Sequence, residues 1–164
     1  MPRMDEATLA RFLDEPHVGV IATLRTDGRP YTVPVWWLLD PDDGKYWLTG
    51  TTNRVWCKQL EREPNCSLCI EALAPVAGHV GIDGRATAHR LPGFDIWPLS
   101  RRLAEKYVGR GDPANAPAVD RFFANMQTEP RMLFSVVPDV VRAIDMRVYR
   151  GKRADREFQE ANRG

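Results

Sequence analysis

The chain has 164 residues, 43% of them hydrophobic and 27% charged, which suits one domain with a packed core and is too ordinary for a disordered segment. Lys and Arg number 23 against 22 acidic residues, a formal net charge of +1, so the basic excess of a nucleic-acid binder is missing. No apolar run approaches the ~18 residues of a membrane span, and Met1 to Leu13 carries Asp5 and Glu6 rather than a signal-peptide core, which predicts a cytoplasmic protein.

The first element is a short helix. Asp5 is its N-cap, Leu9, Phe12 and Leu13 form a stripe facing a core, and Glu15-Pro16 ends it. His17 to Leu24 alternates as a strand. Thr26-Asp27-Gly28-Arg29 is a hairpin turn, because Asp-Gly accepts the positive φ of a tight β-turn. Pro30 to Leu39 reads as one second strand, and Asp42-Asp43-Gly44 turns the chain into a third, Lys45 to Thr51. These three predict an antiparallel meander.

Helical spacing follows. Thr51, Thr52 and Asn53 offer capping side chains, and Arg54 to Glu63 reads as a helix with Trp56 and Leu60 one turn apart. Cys66 to Glu71 is a fourth strand and His79 to Arg90 a fifth, with a bulge or bend at Asp83-Gly84. Cys66-x-x-Cys69 has the spacing of a zinc or redox pair. On a strand, however, residues three apart point to opposite faces, so the sulfurs diverge, and Cys57 is the third cysteine. Residues 91–130 form a helical insert. Ile96, Leu99, Leu103 and Tyr107 make one stripe, and Val119, Phe122, Phe123 and Met126 make another. Met132 to Val137 and Val141 to Tyr149 read as two closing strands, and 151–164 as a polar tail beyond a single domain at 1–150.

Six or seven antiparallel strands with a helix after the third predict an α+β barrel-like fold. The second strand is apolar on both faces, with Val33 and Val35 on one and Trp36 and Leu38 on the other. A second copy of the chain is the simplest cover for the outer face, which predicts a homodimer.

The chemistry concentrates between Thr49 and Leu60. A helix N-terminus presents unpaired N–H groups and a partial positive charge, a natural seat for phosphate. Here Thr49, Thr51, Thr52 and Asn53 precede it, and Arg54 and Lys58 follow on one helical face. The alternative reading is plain helix capping with solvated charges. A second candidate is Val33-Pro34-Val35-Trp36-Trp37. Pro34 removes a ladder donor and so marks an edge or bulge, where a planar ring could lie beside aromatic side chains; the alternative is that the tryptophans simply fill core.

In succession, Asp27-Gly28-Arg29-Pro30, Val33-Pro34-Val35-Trp36, Tyr46-Trp47-Leu48-Thr49, Gln59-Leu60, Glu63-Pro64-Asn65 and Val80-Gly81-Ile82-Asp83-Gly84-Arg85-Ala86 resemble the pyridoxamine-phosphate-oxidase-like family of FMN- and deazaflavin-binding proteins. The resemblance runs from about Asp5 to Arg90, and more loosely through Pro138 to Asp145. It implies a split β-barrel homodimer with a flavin-type cofactor at the subunit interface, FMN or alternatively F420. The phosphate would lie by Thr49, Thr51, Asn53, Arg54 and Lys58, and the ring along Pro34, Val35 and Trp36. Residues near His79 would reach across from the partner. The implied activity is an oxidoreductase that passes hydride through the bound ring to a small-molecule substrate, with no side chain acting as nucleophile.

Trp56 stands where many relatives carry a lysine. The arginine-rich C-terminal signature of true pyridoxamine-phosphate oxidases is not evident either, although Arg142, Arg147 and Arg150 are present. Two other classes remain open from the sequence: a haem or tetrapyrrole binder using His17, His79 or His89, and a ligand-free interaction module.

Overall fold

The computed structural model describes residues 2–149. The tail expected at 151–164 lies outside the described residues. Helix α1 (Glu6–Asp14) starts as its sequence requires, with the Asp5 carboxylate accepting the Thr8 N–H at 2.7 Å. Seven strands follow, interrupted by helices: β1 (Gly19–Leu24), β2 (Pro30–Val35), β3 (Trp37–Leu39), β4 (Tyr46–Thr51), β5 (Asn65–Ala72), β6 (Gly78–His89) and β7 (Arg131–Asp145). Helix α2 (Val55–Arg62) links β4 to β5. Between β6 and β7 come α3 (Trp97–Ala104), a π-helical turn (Glu105–Gly109) and α4 (Ala116–Met126).

All strand pairs are antiparallel, in the order β2-β1-β5-β6-β7-β4-β3. The predicted second strand is therefore two strands, at opposite ends of the sheet, with Trp36 alone between them. One residue cannot span an open seven-stranded sheet, so the sheet must curl until its ends meet. This is the barrel-like fold expected from the strand pattern and the split barrel that the family resemblance implies, but the predicted meander is corrected: β1–β2 is one hairpin, β3–β4 another, and they sit at opposite edges.

The two predicted closing strands are likewise one, β7, and Met146–Tyr149 is a short 3₁₀ turn. Pro138, in the interval 138–140 left between the two predicted strands, sits where the β6–β7 register slips. Asp83 pairs with Val140 and Gly84 with Pro138, leaving Asp139 as the extra residue. A bulge accommodates a residue without an N–H. Gly84 is required at this point, since a Cβ would lie 2.3 Å from the Val137 carbonyl oxygen.

Ile21, Trp37, Leu48, Ile70, Ile82 and Phe134 are fully buried inside the curl. Helix α2 presents Trp56, Cys57, Gln59 and Leu60 to this core. Gln59 is the polar exception, and its side-chain oxygen accepts the buried Thr23 hydroxyl at 2.6 Å. Strand β5 alternates strictly, so Cys66 is buried and Cys69 exposed, as the strand reading of Cys-x-x-Cys requires. Burial pushes the Cys66 and Cys57 thiols up to about 12. Among the described residues no three His, Cys, Asp or Glu side chains gather as metal ligands, and no helix is long and apolar enough to cross a membrane.

Candidate functional site

The split between the two ends of the sheet is itself a cleft. Strand β3 pairs only with Tyr46, Trp47 and Leu48 of β4, so beyond it Thr49, Gly50 and Thr51 have strand neighbours on the β7 side alone. Across the gap lies the outer edge of β2, whose other edge pairs with β1. Between these edges is a space of about 810 Å³, within the roughly 300–1,000 Å³ usual for small-molecule sites.

Seven of the nine sequence-predicted site residues line it: Pro34, Val35 and Trp36 on one wall, and Thr49, Thr51, Asn53 and Arg54 at the N-terminal end of α2. Arg54 is the N-cap residue and provides no side-chain cap; its own N–H reaches the Thr51 carbonyl at 3.0 Å. Thr51 donates its hydroxyl to the Asn53 side-chain oxygen at 2.5 Å. Lys58 is on the exposed surface of α2, and His79 pairs with Ile144 at the end of β7 remote from Arg131, so neither lines this cleft within one chain. Neither Arg54 nor Lys58 forms an ion pair with a described residue.

The cleft also holds residues that the sequence did not single out as site residues. Trp56 is 5% exposed, and its indole lies beneath Gly50, where a Cβ would come within 2.7 Å of the ring. Its ring packs tilted against Phe134 at 5.5 Å. The residue replacing the family lysine thus belongs to the core and presents no cation. Arg131 supplies one instead. At the head of β7 it pairs with Thr51, which puts its side chain on the face shared by Thr51 and Thr49, and Nη1 lies 3.4 Å from the Thr49 hydroxyl. Only the register of β4 against β7 reveals this neighbour of Thr51; its one local sign is a position just after Pro130.

The helical insert roofs the cleft. Trp36 is stacked parallel on Tyr107 at 4.7 Å and tilted against Phe122 of α4 at 5.2 Å. Tyr107 does more than stack. Its hydroxyl accepts the Trp37 N–H at 3.1 Å and donates toward the carbonyls of His17 at 2.9 Å and Trp37 at 3.1 Å. The chain leaves the ladder at this elbow, and a side chain of the insert takes up the backbone groups released there.

A second depression, of about 640 Å³, lies behind the elbow between α1, β3 and the π-helical turn. Lys106 projects into it, donates to the Leu13 carbonyl at 2.7 Å and lies 3.7 Å from the Trp37 ring centroid. Burial lowers its pKa to about 8, with Asp14 and Glu15 opposing the shift. Between pH 8 and the ordinary lysine value of 10.5 the unfolded chain therefore binds more protons, and this group makes the fold more stable as pH rises. Cys57, Cys66 and Tyr107, held protonated by burial, act in the opposite sense above about pH 9, so the test is a difference. The stability of wild type relative to Lys106→Met should rise by about 2 kcal/mol from pH 7 to pH 9.5 in denaturant titrations. A pH-independent difference would show that the ammonium is as well solvated folded as unfolded.

None of His17, His79 and His89 lines either space. His17 packs on Phe12 at 4.9 Å. His89 shares a 2.8 Å hydrogen bond with Ser135 and packs against Trp47 and Phe94. Desolvation holds both below the usual imidazole pKa.

The chain resembles a conserved protein from Mycobacterium tuberculosis, Rv2991, with 24% identity over 87% of this chain and 85% of that one, and a TM-score of 0.67. It is also similar to an F420 reductase (20% identity, 80% and 93% coverage, TM-score 0.58) and to the Vibrio cholerae haem storage protein HutZ (17%, 86% and 94%, TM-score 0.62). No curated protein matches the sequence. At these identities the structures establish a shared fold. The sequence itself matches the pyridoxamine 5'-phosphate oxidase family over residues 5–145, through both edges of the split, α2 and the whole of β7, and on that match the chain belongs to this family.

Proposed function

We propose that the protein binds a flavin-type cofactor, FMN in the first place and the deazaflavin F420 as the alternative, and is an oxidoreductase acting on a small molecule. The observation that carries this reading is the composition of the split. One wall is an apolar strand edge ending in a stacked tryptophan, and the opposite end gathers Thr49, Thr51, Asn53, Arg54 and Arg131 around a helix N-terminus. A planar ring suits the first and a phosphate the second. The fold shared with an F420 reductase supports the same class.

When bound, the cofactor ring supplies the hydride chemistry. The chain's part is to hold the phosphate through Arg54 and the threonines, to orient the ring along Pro34 to Trp36, and to exclude water with the Tyr107–Trp36–Phe122 roof. A homodimer would complete the site. On the outer face of the sheet Pro34, Val20, Cys69 and Gly81 form a row across four strands without a charged side chain. Within the row Val20 is 42% exposed, and Val18 beside it is 47% exposed. The row ends at Pro34, on the rim of the cleft, so a second copy seated there reaches the ring.

The test is a titration of the apo protein with FMN and with F420, followed by the fluorescence of the five tryptophans. Saturable binding is expected, about 10- to 100-fold weaker for Arg54→Ala, in line with the loss of a charge-assisted phosphate contact. Lys58→Ala should weaken it less. Sedimentation of the same samples should give twice the 18.6 kDa chain mass, and Val20→Asp should shift it toward the monomer. Failure to bind either cofactor would remove the oxidoreductase reading, and a wild-type monomer would remove the dimer.

A further inference from the structure

Resting on the flavin reading, we infer that Glu129 and Arg131 form a charge gate in the cleft: the Glu129 carboxylate occupies the Arg131 guanidinium in the ligand-free protein, and the phosphate monoester of the cofactor displaces it. Arg131 is then the cation that stands in for the family lysine, and Glu129 sets how strongly the site selects for an anionic ligand.

Four observations converge on this pair. First, both residues line the cleft, at the same end as Thr49, Thr51, Asn53 and Arg54. Second, Arg131 has unused donors. Its Nη2 meets the Glu129 carboxylate and its Nη1 makes only the long contact to Thr49, while Nε is buried with no hydrogen-bond partner among the described residues. A guanidinium carries five N–H donors in a fixed fork, and a phosphate can take two of them side by side.

Third, the carboxylate is itself incompletely satisfied. Glu129 Oε2 is buried without a hydrogen bond of good geometry, although it is the atom facing Arg131. An ion pair whose acid is 37% exposed lies partly in water and is worth little, so a better partner can replace it. Fourth, the two partners differ in freedom. The Arg131 side chain is 15% exposed and fixed at the start of a sheet strand, whereas that of Glu129 is 37% exposed and belongs to the turn after α4. On arrival of a phosphate the glutamate can turn to solvent while the arginine stays.

The exchange also accounts for Trp56. With that position given to the core beneath Gly50, a second cation beside Arg54 has to come from another element, and β7 is the strand paired with Thr49 and Thr51.

The experiment measures FMN and riboflavin affinities for wild type, Glu129→Gln, Arg131→Met and Arg131→Lys, with thermal melts of each with and without ligand. Riboflavin lacks the phosphate and serves as the probe of the ring wall alone. Glu129→Gln should bind FMN about 5- to 10-fold more tightly with riboflavin unchanged, and its melting temperature should rise more on adding FMN than that of wild type. Arg131→Met should lose about 10- to 100-fold in FMN affinity, again with riboflavin unchanged, and Arg131→Lys should recover part of it.

Wild-type FMN binding that Arg131→Met leaves intact, or that Glu129→Gln fails to tighten, overturns the gate while the flavin site stands. Equal effects on FMN and riboflavin also overturn it, since they report packing rather than phosphate recognition. Should Arg131→Met not fold, Glu129→Gln decides alone. A wild type that binds neither FMN nor F420 removes the flavin reading and the gate with it.

Discussion

Replacing Tyr107 with Phe should destabilise the protein by about 2–3 kcal/mol, although it deletes a single oxygen from a residue outside the barrel strands. The ring would stay, and with it the parallel stack on Trp36 at 4.7 Å. What is lost is the partner of the Trp37 N–H, a buried donor with its acceptor at 3.1 Å. A buried N–H left without a partner costs about 1–3 kcal/mol, and the hydroxyl's one proton, shared between the His17 and Trp37 carbonyls, goes as well. The His17 carbonyl keeps the Trp37 indole N–H at 2.7 Å, which limits the loss. For a chain of this length the change corresponds to a fall of roughly 5–10 °C in melting temperature. A drop below about 1 °C would mean that water replaces the hydroxyl and that the elbow does not depend on the insert.

Restoring a lysine at position 56 should fail, and by a larger margin. By family resemblance alone, Trp56→Lys ought to strengthen a phosphate site. The position is instead 5% exposed, lies under Gly50 and packs on Phe134. Removing a buried tryptophan costs about 3–5 kcal/mol through lost contacts and a cavity, and an ammonium without an acceptor in its place adds to that. Denaturant unfolding should show a loss of at least about 3 kcal/mol, with no gain in FMN affinity. Trp56→Phe should cost less than half as much. A stable Trp56→Lys protein with tighter FMN binding would show that the lysine can reach the cleft, and the role given to Arg131 would fall.

Local chemistry was what the sequence revealed well. Asp5 as a helix cap, Asp27-Gly28 as a turn and Asp83-Gly84 as a bulge each depend on a few adjacent residues, and each is found in place. The opposed faces of Cys66 and Cys69 follow from strand periodicity alone. So does the grouping of Thr49, Thr51, Asn53 and Arg54 at one helix end, since a strand-to-helix junction brings them together.

Facts set by distant pairing were not legible. Pro30 to Leu39 ends in an unbroken apolar run, and although Pro34 marks an edge or bulge, nothing in the run shows that the chain turns at Trp36 and enters the opposite edge of the sheet. The continuity of β7 through Pro138 was not readable either, because the residue left over there, Asp139, is set by the pairing of two strands. Arg131 and Glu129 have no motif at all, and they enter the site only through the register of β7 against β4. The stripe Val119, Phe122, Phe123 and Met126 was read correctly as helical. Only Val119 and Met126 are buried within it, and Phe122 faces the cleft.

The strand order has a further consequence for how the molecule comes to exist. Residues 19–51 encode two hairpins that end at opposite edges, and the ladder reaches from one to the other only through β5, β6 and finally β7. Strand β7 is the join, holding β6 along one side and β4 along the other. Assembly is thus dominated by contacts distant in sequence, the regime of slow folding. During synthesis a nascent chain that has reached only the end of α4 possesses Trp36, Thr49 and Arg54 but nothing to hold the two sides of the split in place. In that interval β4 and β6 both present unpaired backbone, the kind of edge through which growing chains aggregate, and the cleft is among the last parts of the molecule to form.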